Sequence, residues 1–309
     1  MTGEALAGLT VLERGWLSSN NLLIHPAPGE PGAVLIDTSH VNHAPQTLAL
    51  LRQALAGARL DRVLNTHLHS DHCGGNAALQ REFGVPVFIP PGQADAVRAW
   101  DAAVLSYEAT GQRIERFAVD GTVAPGTAFV AGGRAWEVLA APGHDPHSVM
   151  FFDRAHGLLV SADALWEHGF GLVFPEIAGE PGFDDVGATL ERIAALPVKL
   201  VVPGHGAPFC DVGAALQRAF ARLEGLRRDP ARHAKHALKV LIKYHLMEER
   251  AQDEVALLAW AEATPLLAEL WRRFPPTGVA SATDWARQAV DEMVAGGALA
   301  RDGARVLDA

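Results

Sequence analysis

The chain has 309 residues, 49% of them apolar and 20% charged, with a formal net charge of -10. This is the composition of a globular protein, one large domain plus a small one, and no apolar run is long enough to span a bilayer. The acidic balance argues against an extended polyanion as the main partner, and two cysteines, Cys73 and Cys210, are too few for a disulfide framework. Met1 to Ala5 lack the basic-then-apolar profile of a signal peptide, so a cytoplasmic location is expected.

In chain order, Leu9 to Leu12 and Asn21 to His25 are expected as strands, followed by a Pro/Gly turn over 26–32. Ala33 to Asp37 is a buried strand ending in an aspartate. Pro45 to Ala56 carries leucines at 48, 51 and 55, one face of a helix. The apolar run Arg62 to Asn65 is a short strand, Asn76 to Phe83 a helix and Val85 to Ile89 a strand. Residues 93–110, with Trp100, Val104 and Tyr107 at helical spacing, are expected as one helix. Short strands follow at Ile114 to Val119, Ala135 to Leu139, Val149 to Phe152 and Gly157 to Val160. Then come a helix from Phe183 to Leu196, a strand Leu200 to Val202 and a helix Asp211 to Arg228. Strands and helices interleave once on each side of the middle, which predicts an α/β fold: two packed sheets with helices outside, a four-layer αββα sandwich over 1–228.

After Asp229-Pro230 the texture turns helical: His233 to Glu249, Asp253 to Trp260, Pro265 to Phe274 and Ala282 to Ala295. A hairpin turning at Asp302-Gly303 ends the chain. Residues 229–309 are therefore expected to form a small helical, winged-helix-like domain. Lys235, Lys239 and Lys243 form a one-sided basic stripe on its first helix. Nucleic acid is the partner such a stripe suggests, but a solvated helix face is the plainer reading, and a small molecule is the expected partner.

The densest chemistry lies in His67-Leu68-His69-Ser70-Asp71-His72, directly after the strand at 62–65. Residues two apart at a strand end point the same way, so His67 and His69 can grip one ion together. Asp71 and His72 come where the chain turns into the next helix and face the same hollow from another side. Four ligand types are costly to gather without a cation to neutralise them. Three more candidates each follow an apolar strand and precede a turn: His144, Asp163 and His205. Imidazoles with carboxylates are the ligand set of zinc, with iron and manganese as alternatives.

With its HxHxDH motif at 67–72, Gly-His at 143–144, Asp163 and Gly-His-Gly at 204–206, the chain resembles the metallo-β-lactamase superfamily over roughly residues 10–215. The resemblance implies two divalent ions, the first on His67, His69 and His144 and the second on Asp71, His72 and His205, with Asp163 between them. It also implies a shared hydroxide that attacks an acyl or phosphoryl centre, with Asp71 orienting the nucleophile and receiving its proton. A bridging aspartate is typical of the glyoxalase II-like, lactonase and ribonuclease branches rather than of true β-lactamases, and the chain has no room for a β-CASP insert. The leading substrate is a small ester, thioester or lactone. The rivals are RNA phosphodiester cleavage, as in the lactamase-beta-2-like group, a mononuclear iron persulfide dioxygenase on His67, His144 and Asp163, and a non-catalytic nucleic-acid-binding protein. A homodimer is expected.

The aromatic, glycine-rich stretch after Asp163 is expected to line the cleft through Trp166, His168 and Phe174, and His147 is a further substrate-side candidate. His40 and His43 follow the strand that ends in Asp37 and could approach the cleft rim. Cys73 is read as a small buried residue, and His25, His156, His233, His236 and His245 as surface or core residues.

Overall fold

The structure, a computed structural model, describes residues 5–309. Its first sheet contains β1 (Leu9–Leu12), β2 (Asn21–Ile24), β3 (Ala33–Ile36), β4 (Leu60–Leu64), β5 (Val87–Ile89) and β6 (Gly121–Thr122), in that spatial order. The pairings β1/β2/β3 are antiparallel, and β3 through β6 run parallel. The second sheet contains β7 (Ala128–Ala131), β8 (Arg134–Ala140), β9 (Val149–Asp153), β10 (Leu158–Ala162) and β11 (Leu200–Pro203), ordered β11-β10-β9-β8-β7.

The strands are apolar on both faces because both faces are covered. Leu22, Ile36, Leu64, Phe151, Val160 and Val202 meet between the sheets. Leu23, Leu35 and Val63 face the opposite way, against Leu51 and Leu55 of α1 (Ala44–Leu55). The α2 turn (Ser70–Cys73) and α3 (Asn76–Phe83) follow β4. Met150, Phe152 and Val201 on the outer face of the second sheet pack against later helices. This is the four-layer sandwich expected from the interleaved pattern.

Two expectations fail between 93 and 119. The chain there forms only α4 (Ala94–Ala99) and α5 (Ser106–Thr110), because Trp100 turns into the left-handed region at φ 56° and caps the first segment. No strand forms over 114–119. Phe117 is buried in the outer core instead, and pairing begins only at β6.

The chain continues through α6 (Phe174–Ala178), α7 (Phe183–Ala194) and α8 (Val212–Arg228) into α9 (Pro230–Glu249), α10 (Glu254–Ala263), α11 (Pro265–Arg273) and α12 (Ala282–Ala295). The hairpin is β13 (Leu299–Asp302) and β14 (Arg305–Asp308). A short strand absent from the sequence expectations, β12 (Ala251–Asp253), pairs with β14 to make a third sheet. These last elements share an apolar core of their own, including Leu241, Leu257, Leu270, Trp285 and Val306, which also takes in Leu172 and Ile177 from the sandwich side. No helix among the described residues is long and apolar enough to cross a membrane.

The seam at α9 carries a pH-sensitive contact. The buried His233 accepts a hydrogen bond at Nε2 from the Val173 N–H at 3.2 Å. Burial, then the nearby His236 and Arg222, push its pKa down to about 4. An unfolded chain has an ordinary histidine near 6.5 and takes up this proton first as pH falls. The His233 contribution is therefore complete above about pH 6.5 and is lost progressively between about 6.5 and 4, at most about 2 kcal/mol of it being gone by pH 5. In chelator-treated protein, His233→Asn, which keeps an acceptor but cannot titrate, should show a shallower fall in thermal midpoint from pH 7 to 5. An unchanged slope would remove His233 from the acid response.

Candidate metal centre

β8, β10 and β11 run in one direction, since β8 and β10 are each antiparallel to β9 and β11 is parallel to β10. Their carboxyl ends bring His144, Asp163 and His205 to one edge of the sandwich, where the 65–72 loop arrives from the end of β4. The Val149 N–H donates to Thr66 O at 2.8 Å, and the Asn20 N–H to Gly204 O at 2.7 Å, tying the two sheets together at this edge. Two glycines are required by close approach. A Cβ at Gly204 would lie 2.1 Å from Asp163 Oδ1, and one at Gly171 would lie 2.4 Å from His144 Nδ1.

The seven sequence candidates fall into two groups, each with ligand atoms mutually within 4.8 Å: His67, His69 and His144, and Asp71, His72, Asp163 and His205. All seven are buried. In the first group His69 Nδ1 lies 3.1 Å from His67 Nε2 and 2.7 Å from His144 Nε2. In the second, His205 Nε2 is 2.9 Å from Asp71 Oδ2. Asp163 stands between the groups, with Oδ2 3.3 Å from His144 Nε2 and Oδ1 3.4 Å from His72 Nε2.

The ring orientations are set from behind. His144 Nδ1–H donates to Leu172 O at 2.5 Å, which leaves Nε2 facing the cluster. His72 Nδ1–H donates to Asp37 Oδ2 at 2.7 Å, and the same carboxylate accepts from the Thr66 N–H at 2.9 Å and the Thr66 hydroxyl at 2.8 Å. Asp37 holds this post at φ 58°, a strained conformation for a residue with a Cβ. Carboxylates that fix a ligating histidine in this way raise its basicity.

The donor set fits a pair of cations. His72 Nε2 is buried with no hydrogen-bond partner among the described residues, although it faces two carboxylates. Burial, then neighbouring imidazoles, drive His67 well below the ordinary histidine range and His69 to about 4, so these two present neutral ring nitrogens. In the second group burial opposes charge, but it is outweighed. His72 and His205 hold Asp71 at about 2 and Asp163 well below the carboxylate range, while Asp71, Asp163 and Asp37 keep His72 protonated. A cation bound by this group would take the place of that proton. Three facing nitrogens cannot all be satisfied by shared protons, and a buried acidic cluster needs positive charge.

A cavity of about 650 Å³ opens from this edge, with the sandwich on one side and α9 on the other. Trp166 and Phe174 line it as expected. The Trp166 indole N–H donates to Asp163 Oδ1 at 3.1 Å, and the Phe174 ring centre lies 4.5 Å from that of His69. His168 is at the mouth, 80% exposed beside Glu167. His147 is a correction: it is exposed, lies against Gly92 and does not border the cavity. His40 and His43 are also displaced from the rim, because His40 is fully buried against Glu248 at 2.8 Å and His43 bonds the Ser18 hydroxyl at 2.7 Å. Cys73 is buried as read.

Sequence reasoning missed Trp16, stacked on His205 at 5.3 Å; Tyr244, whose hydroxyl lies 2.8 Å from that of Ser70; and Arg222 and His236 on the cavity wall. These residues carry no local motif. Only the Ser70-Asp71 position beside a helix with polar residues at 236, 239, 243 and 244 could have hinted at them.

The family described as the metallo-beta-lactamase superfamily matches residues 14–205. The hydroxyacylglutathione hydrolase of Methylococcus capsulatus is 28% identical over 235 residues, covering 72% of this chain and 80% of that protein. For several other relatives of that name, the chain spans about half of their length. Among solved structures, a metallo-beta-lactamase family protein of Thermus thermophilus superposes with a TM-score of 0.57 over 98% of this chain and 99% of its own, at 22% identity. TTHA1623, solved in a di-iron-bound form, is 28% identical with a TM-score of 0.54 over 68% of this chain and 98% of that one.

Proposed function

The chain belongs to the metallo-beta-lactamase superfamily, and from that premise we propose that it is a dinuclear metal-dependent hydrolase of a small ester, thioester or lactone. The observation that carries this reading is Asp163, one carboxylate with an oxygen toward each of two ligand groups. His67, His69 and His144 would hold one ion and Asp71, His72 and His205 the other. Such a pair supplies water with a pKa near 7 and polarises the oxygen of the group under attack. TTHA1623 in its di-iron form supports two ions and keeps iron beside zinc as a candidate.

The chain's own groups serve hydrolysis in three ways. The Asp71 carboxylate, fixed by His205, is ionised and faces the cleft, so it can orient water and accept a proton. The Tyr244 hydroxyl, kept protonated mainly by burial, donates to Ser70, which itself donates to Gln112 Oε1, so Tyr244 offers the cavity an oxygen that accepts from a substrate donor. Phe174 and Trp166 exclude water from the walls. Residues 229–309 act in this reading as an accessory domain whose α9 closes the cleft.

The lysine stripe speaks against RNA as the substrate. Lys235 and Lys239 share Glu292, and Lys243 pairs with Asp308, so two carboxylates offset two of the three charges within the chain. Elemental analysis of protein purified without added metal should give two equivalents of zinc, iron or manganese, with thioester or lactone turnover that a chelator abolishes. One equivalent of iron with oxygen consumption on a persulfide, or failure to take up metal, would overturn the reading.

A further inference from the structure

We propose that the substrate is amphipathic, an ester or thioester of an apolar acyl chain that also carries one anionic group, carboxylate or phosphate, seated on Arg222. This deepens the hydrolase reading and rests on it.

The cavity next to the ligand groups is lined mainly by apolar side chains. Phe170 and Phe174 come from the sandwich side, and Val240, Met247 and Met293 from the C-terminal side. Unbranched methionines adapt to flexible apolar chains. A polar acyl group would leave its own hydrogen-bonding groups unpaired against such walls. The volume, about 650 Å³, suits a whole small-molecule ligand rather than a two-carbon acyl group.

The positive charges on the wall are not equivalent. Lys243 pairs with Asp308, and Lys239 shares Glu292 with Lys235, so each lysine on the wall has a carboxylate beside it. Arg222 has no carboxylate partner among the described residues. Its guanidinium lies over the Phe170 ring at 5.0 Å and 3.3 Å from His236 Nε2. His236, exposed at the cavity mouth, is an imidazole and brings no negative charge to Arg222. Burial, then the nearby Arg232, lowers the Arg222 pKa, although the side chain is only half-buried. A guanidinium offers paired donors that match a carboxylate or phosphate edge, and an unneutralised one on the wall of an apolar cleft is most simply completed by the ligand.

The test uses metal-loaded full-length protein and acyl thioesters of short and long chain, each with a carboxylate-bearing, a phosphate-bearing or a neutral thiol. The expected result is higher kcat/KM for long chains and a preference of about 10- to 100-fold for an anionic over a neutral thiol, carried by KM. Arg222→Met should collapse that anionic-to-neutral ratio toward unity, and Arg222→Lys should restore part of it. The carboxylate and phosphate arms identify which anion is used. Equal rates for short and long chains, or a ratio that Arg222→Met leaves unchanged, would overturn the proposal.

A binding arm separates this failure from failure of the hydrolase reading. If no thioester is turned over, quenching of Trp16 and Trp166 fluorescence by decanoate, against decanol and acetate, still reads the subsite. Tighter binding of decanoate than of either control, lost in Arg222→Met, would support the proposal. Equal binding would sink it. Should Arg222→Met fail to fold, Arg222→Gln carries the same comparison.

Discussion

Asp71→Asn is expected to lower kcat by about 10²- to 10⁴-fold, the range for removing a positioned general base, while the fold and thermal midpoint stay close to those of the parent chain. The substitution is isosteric, and the residue is at the start of a single turn, Ser70–Cys73, held by backbone bonds that do not involve its side chain. Two things change. An amide cannot take a proton that a carboxylate oxygen can take. The partner of His205 Nε2 at 2.9 Å also loses its charge, and His72 loses the largest influence that keeps it protonated in the metal-free chain. Metal content measured in the same preparation separates the two effects. Full metal with lost turnover assigns Asp71 to proton transfer, whereas lost metal assigns it chiefly to ligation. Full metal and full turnover would exclude it from the chemistry.

The ease of reading this site in the sequence follows from how local each contribution is. His67, His69, Asp71 and His72 are within six residues of one another and announce themselves. His144, Asp163 and His205 were found because each follows an apolar strand, and strands of one direction end at one edge. Asp37 was visible only as the end of a strand. Its role depends on β3 lying parallel to β4 with Ile36 opposite Leu64, a pairing that brings it to Thr66 and His72 across about 30 residues of chain. Tyr244 and Arg222 are further still from the motif, on helices whose packing no periodicity specifies.

The same physics accounts for the fold misreadings. Apolar spacing at Trp100, Val104 and Tyr107 is that of a helix, but Trp100 in the left-handed region breaks it, and all three side chains meet the core or solvent by separate routes. The strands β7 and β12 were missed because one is largely exposed and the other is three residues long, so neither has a buried face to show. The lysine stripe was legible as a pattern but not as a purpose, since Glu292 and Asp308 reach it from α12 and β14.

Asp163→Asn should have a larger effect than any change behind the ligands. Loss of an outer partner of a metal ligand typically costs about 10- to 100-fold in affinity or activity, and a carboxylate facing both ligand groups must exceed that. The amide can still accept the Trp166 indole N–H at Oδ1, so the loop from Trp166 to Phe174 has no reason to move. What the amide cannot do is present an anionic oxygen to both His144 Nε2 and His72 Nε2, now 3.3 and 3.4 Å away. Its NH₂ would face one of the groups and repel any cation there. Elemental analysis should therefore fall from two equivalents to one, and kcat/KM should drop by more than about 100-fold. With the oxygen kept at Oδ1 by Trp166, the NH₂ takes the Oδ2 place beside His144, so the retained ion is expected on Asp71, His72 and His205, which still face an oxygen. Retention of both ions with normal turnover would mean that Asp163 merely orients Trp166, and the two groups would then have to be treated as independent sites.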